Sequence, residues 1–190
     1  MISLFFRKRK NSKMQRIVLG VLAAVLSFGL LASSIAWTGL GGSTDPGTPT
    51  TLQERIKNLE EQAKKTPEDK GLLASLASHY TQAGKIDKAS EAYQKIVKLD
   101  PKDVSARQNL ALLYYTQGKL EAAEQELKSA LAVEPDNADL NYQYAKLLAE
   151  KKDYKTAITH MEKFLTVQSK GPKAEEAHKS IETWQKEAGQ

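Results

Sequence analysis

The sequence predicts an all-α protein. We expect a solenoid of antiparallel helix pairs with a C-terminal capping helix, preceded by a single N-terminal transmembrane helix. Three observations carry that expectation. An apolar, charge-free stretch runs from Ile17 to Thr44. Downstream, residues of one type recur 34 positions apart: Pro67, Pro101 and Pro135, then Ala77, Ala111 and Ala145, then Ala89, Ala123 and Ala157. Around these markers the apolar residues keep helical spacing almost throughout.

Residues 1–16 form a basic tail, with Arg7, Lys8, Arg9, Lys10, Lys13 and Arg16 and no acidic residue before Asp45. The chain has 28 basic and 23 acidic residues and a net charge of +5, so this tail supplies more than the whole excess. A protein that grips phosphates needs its positive charge on the folded surface. The remainder of the chain has none to spare, and nucleic acid is excluded as an expected partner.

Residues 17–40 read as the membrane span. As a helix they reach about 36 Å, enough for a hydrocarbon core of about 30 Å. Lipid offers no partner to free backbone groups, so a single crossing has to be helical. Trp37 falls where the helix leaves the hydrocarbon, a favoured place for an indole. The basic tail keeps the N-terminus in the cytoplasm and places everything after the span outside it. A cleaved signal peptide is the competing reading, with Ser34-Ile35-Ala36 as a small-x-small cleavage site. The apolar run exceeds the usual core of about 7–15 residues, which favours an uncleaved signal-anchor. Both readings export the rest of the chain. Residues 41–50, GGSTDPGTPT, are rich in Gly, Pro and Thr and read as a flexible linker.

Thr51-x-x-Glu54 is a capping box that opens an N-terminal helix over 51–66, with Leu52, Ile56, Leu59 and Ala63 along one stripe. The period then divides the chain into units 70–103, 104–137 and 138–171. Each unit reads as two amphipathic helices, joined at Gly84 in the first and Gly118 in the second, where glycine takes positive φ at little cost. Alanines 77 and 89, 111 and 123, and 145 and 157 are small enough to let paired helix axes close up. Tyr80, Tyr114 and Leu148, with Tyr93, Leu127 and Met161, are expected to fill the space between successive pairs. Asp100-Pro101 and Glu134-Pro135 stop the second helix of a unit, because proline disfavours helical geometry in the residue before it. The third unit departs from the pattern, with Lys152 for the turn glycine, Leu148 for the tyrosine and Ser169 for the proline. After Gly171-Pro172, residues 172–190 should form a capping helix with Ala174, Ala177, Ile181 and Trp184 against the third unit.

The units resemble tetratricopeptide repeats, over Lys70 to Gly171. The resemblance implies a superhelix of helix pairs whose first helices line a concave, peptide-binding groove. Its candidate residues here are Ser78, Gln108, Asn109, Leu112, Tyr115, Asp139, Tyr142, Gln143 and Lys146. Some co-chaperones of the family hold an acidic C-terminus with Lys, Asn, Asn, Lys and Arg. The matching positions here are Ala74, Ser78, Asn109, Asp139 and Gln143, so only Asn109 agrees and that use is disfavoured. The domain also resembles tetratricopeptide subunits of bacterial cytochrome c maturation systems, which present apocytochrome segments to a haem-attaching complex.

Little in the chain points to chemistry. It has no cysteine, which excludes disulfides, thiolate metal sites, a cysteine nucleophile and covalent haem attachment. His79, His160 and His178 fall in different units without metal-ligand spacing. Adjacent pairs such as Glu60-Glu61 and Glu175-Glu176 diverge by about 100° on a helix and cannot work together on one substrate. No phosphate loop, nucleophile elbow or dinucleotide fingerprint is present. The expectation is therefore a bacterial single-pass cell-membrane protein, anchored through residues 17–40, that is not an enzyme and has no cofactor or small-molecule substrate. It would act outside the cytoplasm as a scaffold or chaperone for a protein or peptide. The alternative is a structural or regulatory subunit of a membrane enzyme complex, using either the groove or the convex face.

Overall fold

The computed structural model describes residues 51–189. The basic tail 1–16, the span 17–40 and the linker 41–50 lie outside the described residues. Among those described there are eight α-helices and no strand. None of these helices is long and apolar enough to cross a membrane. They are α1 (Leu52–Lys65), α2 (Lys70–Gln82), α3 (Ile86–Leu99), α4 (Val104–Thr116), α5 (Leu120–Val133), α6 (Ala138–Glu150), α7 (Tyr154–Val167) and α8 (Pro172–Ala188).

The period extends further than the three units. Helices α2, α4, α6 and α8 begin at residues 70, 104, 138 and 172, and α1, α3, α5 and α7 begin at 52, 86, 120 and 154. Both series keep the 34-residue step. Helix α1 is thus the second half of a repeat, and α8 the first half of another. They bracket three complete pairs: α2 with α3, α4 with α5, and α6 with α7.

Local chemistry repeats with the helices. Asp69, Asp103 and Asn137 cap α2, α4 and α6, each accepting a hydrogen bond from the backbone N–H three residues on. Thr51 and Glu54 form the reciprocal capping box at the start of α1. The turn inside each pair is a Schellman closure. The N–H groups of Lys85, Lys119 and Asp153 donate to the carbonyls of Tyr80, Tyr114 and Leu148, at 2.8, 2.9 and 2.9 Å. That closure needs a left-handed residue. Gly84 and Gly118 supply it at φ 70° and 73°, and in the third pair Lys152 adopts φ 66° despite its side chain.

The core follows from the small residues. Ala77, Ala89, Ala111, Ala123, Ala145 and Ala157 are each no more than 1% exposed. Leu110, Leu140, Leu147, Met161 and Phe164 fill the interior around them. Neighbouring units are also tied by polar contacts. The Tyr80 hydroxyl donates to Glu60 of α1 at 2.6 Å, and one period later Gln94 of α3 donates to the Tyr114 hydroxyl at 2.7 Å. On α8, Ala174, Ala177 and Trp184 are buried, and Ala177 and Trp184, with partly buried Ile181, join the core of the third pair.

At both ends the period continues while the alanines do not. The α1 position equivalent to Ala89, Ala123 and Ala157 is Arg55, and the α8 position equivalent to Ala77, Ala111 and Ala145 is Lys179. Both are exposed. A long side chain thus stands at each of these positions, where the complete pairs have alanine.

Candidate functional site

The predicted groove residues sit on α2, α4 and α6. Ser78, Asn109, Leu112, Asp139 and Lys146 are exposed, while Gln108, Tyr115, Tyr142 and Gln143 are half-buried. Leu112 is an exposed aliphatic side chain, at 38%. Asn109 spends its amide on the carbonyl of Ser105 one turn back, at 2.8 Å. Burial, and next the charge of Glu150 on α6, push the Tyr115 hydroxyl above its usual pKa, so it stays a neutral hydrogen-bonding group.

The groove is not uniform, and one repeat position governs it. That position is Ala74 in α2, Gln108 in α4 and Tyr142 in α6, a steady increase in size. At Ala74 a cavity of about 150 Å³ opens between α2 and α4. Tyr93 and Ile96 of α3 and Ala106 of α4 line it, and Lys70, Asp103, Ser105 and Asn109 surround it. Lys70 lies 2.6 Å from Asp100 and 3.8 Å from Asp103. Its ammonium is held above the ordinary range, first by the hydrogen bond to Asp100.

At the third position the space is filled. The Tyr142 ring packs on Phe164 with centroids 5.0 Å apart. Lys146 and Lys173 stand over it, 5.8 and 5.7 Å from its centroid. Helix α8 then closes this end. Lys173 bonds Asp139 at 2.9 Å, and Glu176 meets Lys146 at 2.8 Å. Burial, then the hydrogen bond to Glu176, raise the Tyr142 pKa. Asp139, Tyr142 and Lys146 are therefore brought together, but against α8. Lys173 and Glu176, both exposed, pair with the predicted groove residues. Ser78, Asn109, Leu112 and Tyr115 stay accessible.

The sequence reading missed Tyr93 and Ile96 as a cavity floor, and Lys173 and Glu176 as groove partners. Extending the period to residue 172 would have placed α8 beside α6. Among the described residues no cluster of three metal-ligating side chains occurs. His160 is committed to the fold: its Nδ1 lies 2.8 Å from Asn141 Oδ1, and its ring meets Tyr144 edge-on at 4.6 Å.

Paired helices stacked in phase, with an open valley of amides, hydroxyls and a tyrosine, define a helical-repeat scaffold. Such arrays present one extended surface to a protein or peptide. The chain belongs to the tetratricopeptide repeat proteins: that family matches residues 76–142 and 138–170, together half of the chain. No curated protein is a significant sequence match. Among solved structures, a MamA protein shares 23% identity at a TM-score of 0.66, covering 73% of this chain and 74% of its own. A tetratricopeptide repeat protein from Parabacteroides merdae shares 19% at 0.66, covering 92% and 61%. The first tetratricopeptide domain of Spaghetti (RPAP3), bound to the HSP90 peptide SRMEEVD, shares 18% at 0.58, covering 64% and 94%. At these identities the likeness establishes the fold.

Proposed function

We propose that this protein is a membrane-anchored scaffold or chaperone. It would hold an extended peptide segment of a partner in the valley of α2 and α4, outside the cytoplasm, near the membrane that carries its N-terminal span. The carrying observation is the side-chain-sized cavity beside Ala74, lined in part by α4, which further along carries exposed Leu112 and half-buried Tyr115. An extended backbone can exchange hydrogen bonds with Ser78 and Asn109, one apolar side chain can enter the cavity, and Tyr115 adds contact area at low entropic cost. The acidic peptide SRMEEVD of the RPAP3 complex is not the ligand we expect. The anion-clamp positions here include Ala74 and Asp139, and Asp139 is already engaged by Lys173.

Tethering places the valley at high effective concentration near other membrane components, so a weak site suffices. This fits a role in assembling a membrane or exported complex, cytochrome c maturation being one such pathway. Photo-crosslinking residues at Leu112 and Tyr115, with Lys98 on α3 as a control, test the groove in intact membranes. Capture at Lys98 but at neither groove position refutes it. Alkaline phosphatase fused after Gln190 should be active in bacteria; an inactive fusion overturns the topology. Retention of peptides containing C-x-x-C-H, but not of serine-substituted versions, would assign the maturation pathway; equal retention of both removes it.

A further inference from the structure

Repeats two and three fill the same internal space with a polar pair, and repeat one does not. In repeat two, Arg107 Nη1 lies 2.5 Å from Glu126 Oε2, while its Nε donates to the carbonyl of Pro101 at 2.9 Å. In repeat three, fully buried Asn141 donates to the carbonyl of Pro135 at 2.8 Å and meets His160 at 2.8 Å. In repeat one the equivalent residues are Leu73, Ala92 and Pro67. Leucine has no donor to offer, and the Pro67 carbonyl accepts no hydrogen bond from the described residues. Alanine also leaves space where glutamate and histidine supply bulk.

The result is a cleft of about 230 Å³ that opens to solvent between α1, α2 and α3. Its wall includes Ala63, Pro67, Leu73, Leu76, Tyr80 and Ala92. None of the predicted groove residues lines it, so it is a separate site. Its charged margin is balanced. Lys88 lies 3.6 Å from Glu60, and Glu91 stands one turn before Lys95. An ion therefore has no advantage there.

We propose that this cleft binds a tryptophan side chain of a partner polypeptide. An aliphatic cavity of about 150 Å³ takes a benzene ring, so this larger one has room for the bicyclic indole. The indole N–H is a lone donor on an apolar body. It matches the Pro67 carbonyl, which corresponds to the acceptor used by Arg107 and Asn141 in the other repeats. Buried in a partner's contact surface, such a residue is a typical binding anchor.

The test uses the full chain in detergent micelles, with methyl-labelled alanine and leucine, titrated with N-acetyl-tryptophanamide. Saturable shifts are expected at Ala92 and Leu73. Two grafts close the cleft with pairs this fold already uses: Leu73→Arg with Ala92→Glu, and Leu73→Asn with Ala92→His. Each should weaken binding about tenfold or more, with Leu112 and Ala106 resonances unmoved. N-acetyl-phenylalaninamide, lacking the side-chain donor, should bind about fivefold more weakly. Circular dichroism checks that each graft is helical, and if one fails to fold, the other and the phenylalanine probe still decide. The proposal is overturned by absent saturation up to about 10 mM, by undiminished binding to a folded graft, or by equal affinity for the two probes. Binding that appears only in Trp37→Phe would show that the chain fills its own cleft, and would overturn the assignment to a partner.

Discussion

Lys152 occupies the left-handed turn position that Gly84 and Gly118 hold in the other pairs, at φ 66° against 70° and 73°. The closure around it is otherwise the same, with Asp153 N–H to Leu148 carbonyl at 2.9 Å. A non-glycine residue in this conformation costs roughly 1–2 kcal/mol. Replacing it with glycine removes that strain but adds unfolded-chain entropy of about 0.5–1 kcal/mol. Lys152→Gly should therefore stabilise the protein by about 0.5–1 kcal/mol. Gly84→Ala should do the opposite by a similar amount, and for the same reason, since an added Cβ at Gly84 meets nothing within 4 Å. Urea unfolding followed by circular dichroism measures both. With a slope of about 2 kcal/mol per molar, the midpoints should move by about 0.3–0.5 M in opposite directions. A midpoint lowered by Lys152→Gly, or unchanged by Gly84→Ala, refutes the reasoning.

Phe164→Ala empties a fully buried site beneath Tyr142 and should cost about 3–5 kcal/mol, read from the same unfolding curves. Glu126→Ala leaves the largely buried Arg107 guanidinium without its carboxylate and should cost about 2 kcal/mol. Arg107→Met added to it should recover part of that loss in a double-mutant cycle. Burial, then the charge of Lys163, lower the His160 pKa from an ordinary value of 6.5. The unfolded chain thus binds the proton more tightly, and stability should fall as pH drops below 6.5 towards the depressed folded value. His160→Gln should flatten that part of the stability–pH curve; an unchanged slope would show that His160 does not produce it.

The three complete pairs were legible in the sequence because each repeat marker has a fixed physical task. Glycine turns the chain, alanine permits close approach, and the residue before proline ends a helix. Their spacing survives on the page because the tasks recur in phase. The half-repeats were legible as helices, but their phase was hidden where Arg55 and Lys179 stand in place of alanine. The groove was read as a row of equivalent positions. Its unequal depth depends on what lies beneath each residue: Tyr93 and Ile96 under Ala74, and Phe164 under Tyr142. Those partners come from different helices and carry no motif. The cleft beside Pro67 was hidden for a similar reason, since Leu73 and Ala92 are unremarkable until set against Arg107 with Glu126 and Asn141 with His160.

A chain that begins its described fold on a second half-repeat and ends it on a first half-repeat carries two complementary halves of one unit. Placed head to tail, α8 of one copy and α1 of the next would supply the helices of a complete pair. That contact is heterologous and does not close on itself, the geometry from which filaments grow. Lys179 and Arg55 would then meet at the point of closest approach, where every complete pair has alanine against alanine. Two long side chains in that place would oppose such stacking. Lys179→Ala combined with Arg55→Ala should yield concentration-dependent higher species in sedimentation velocity, and a strictly unchanged profile would show that the ends are kept apart by something else.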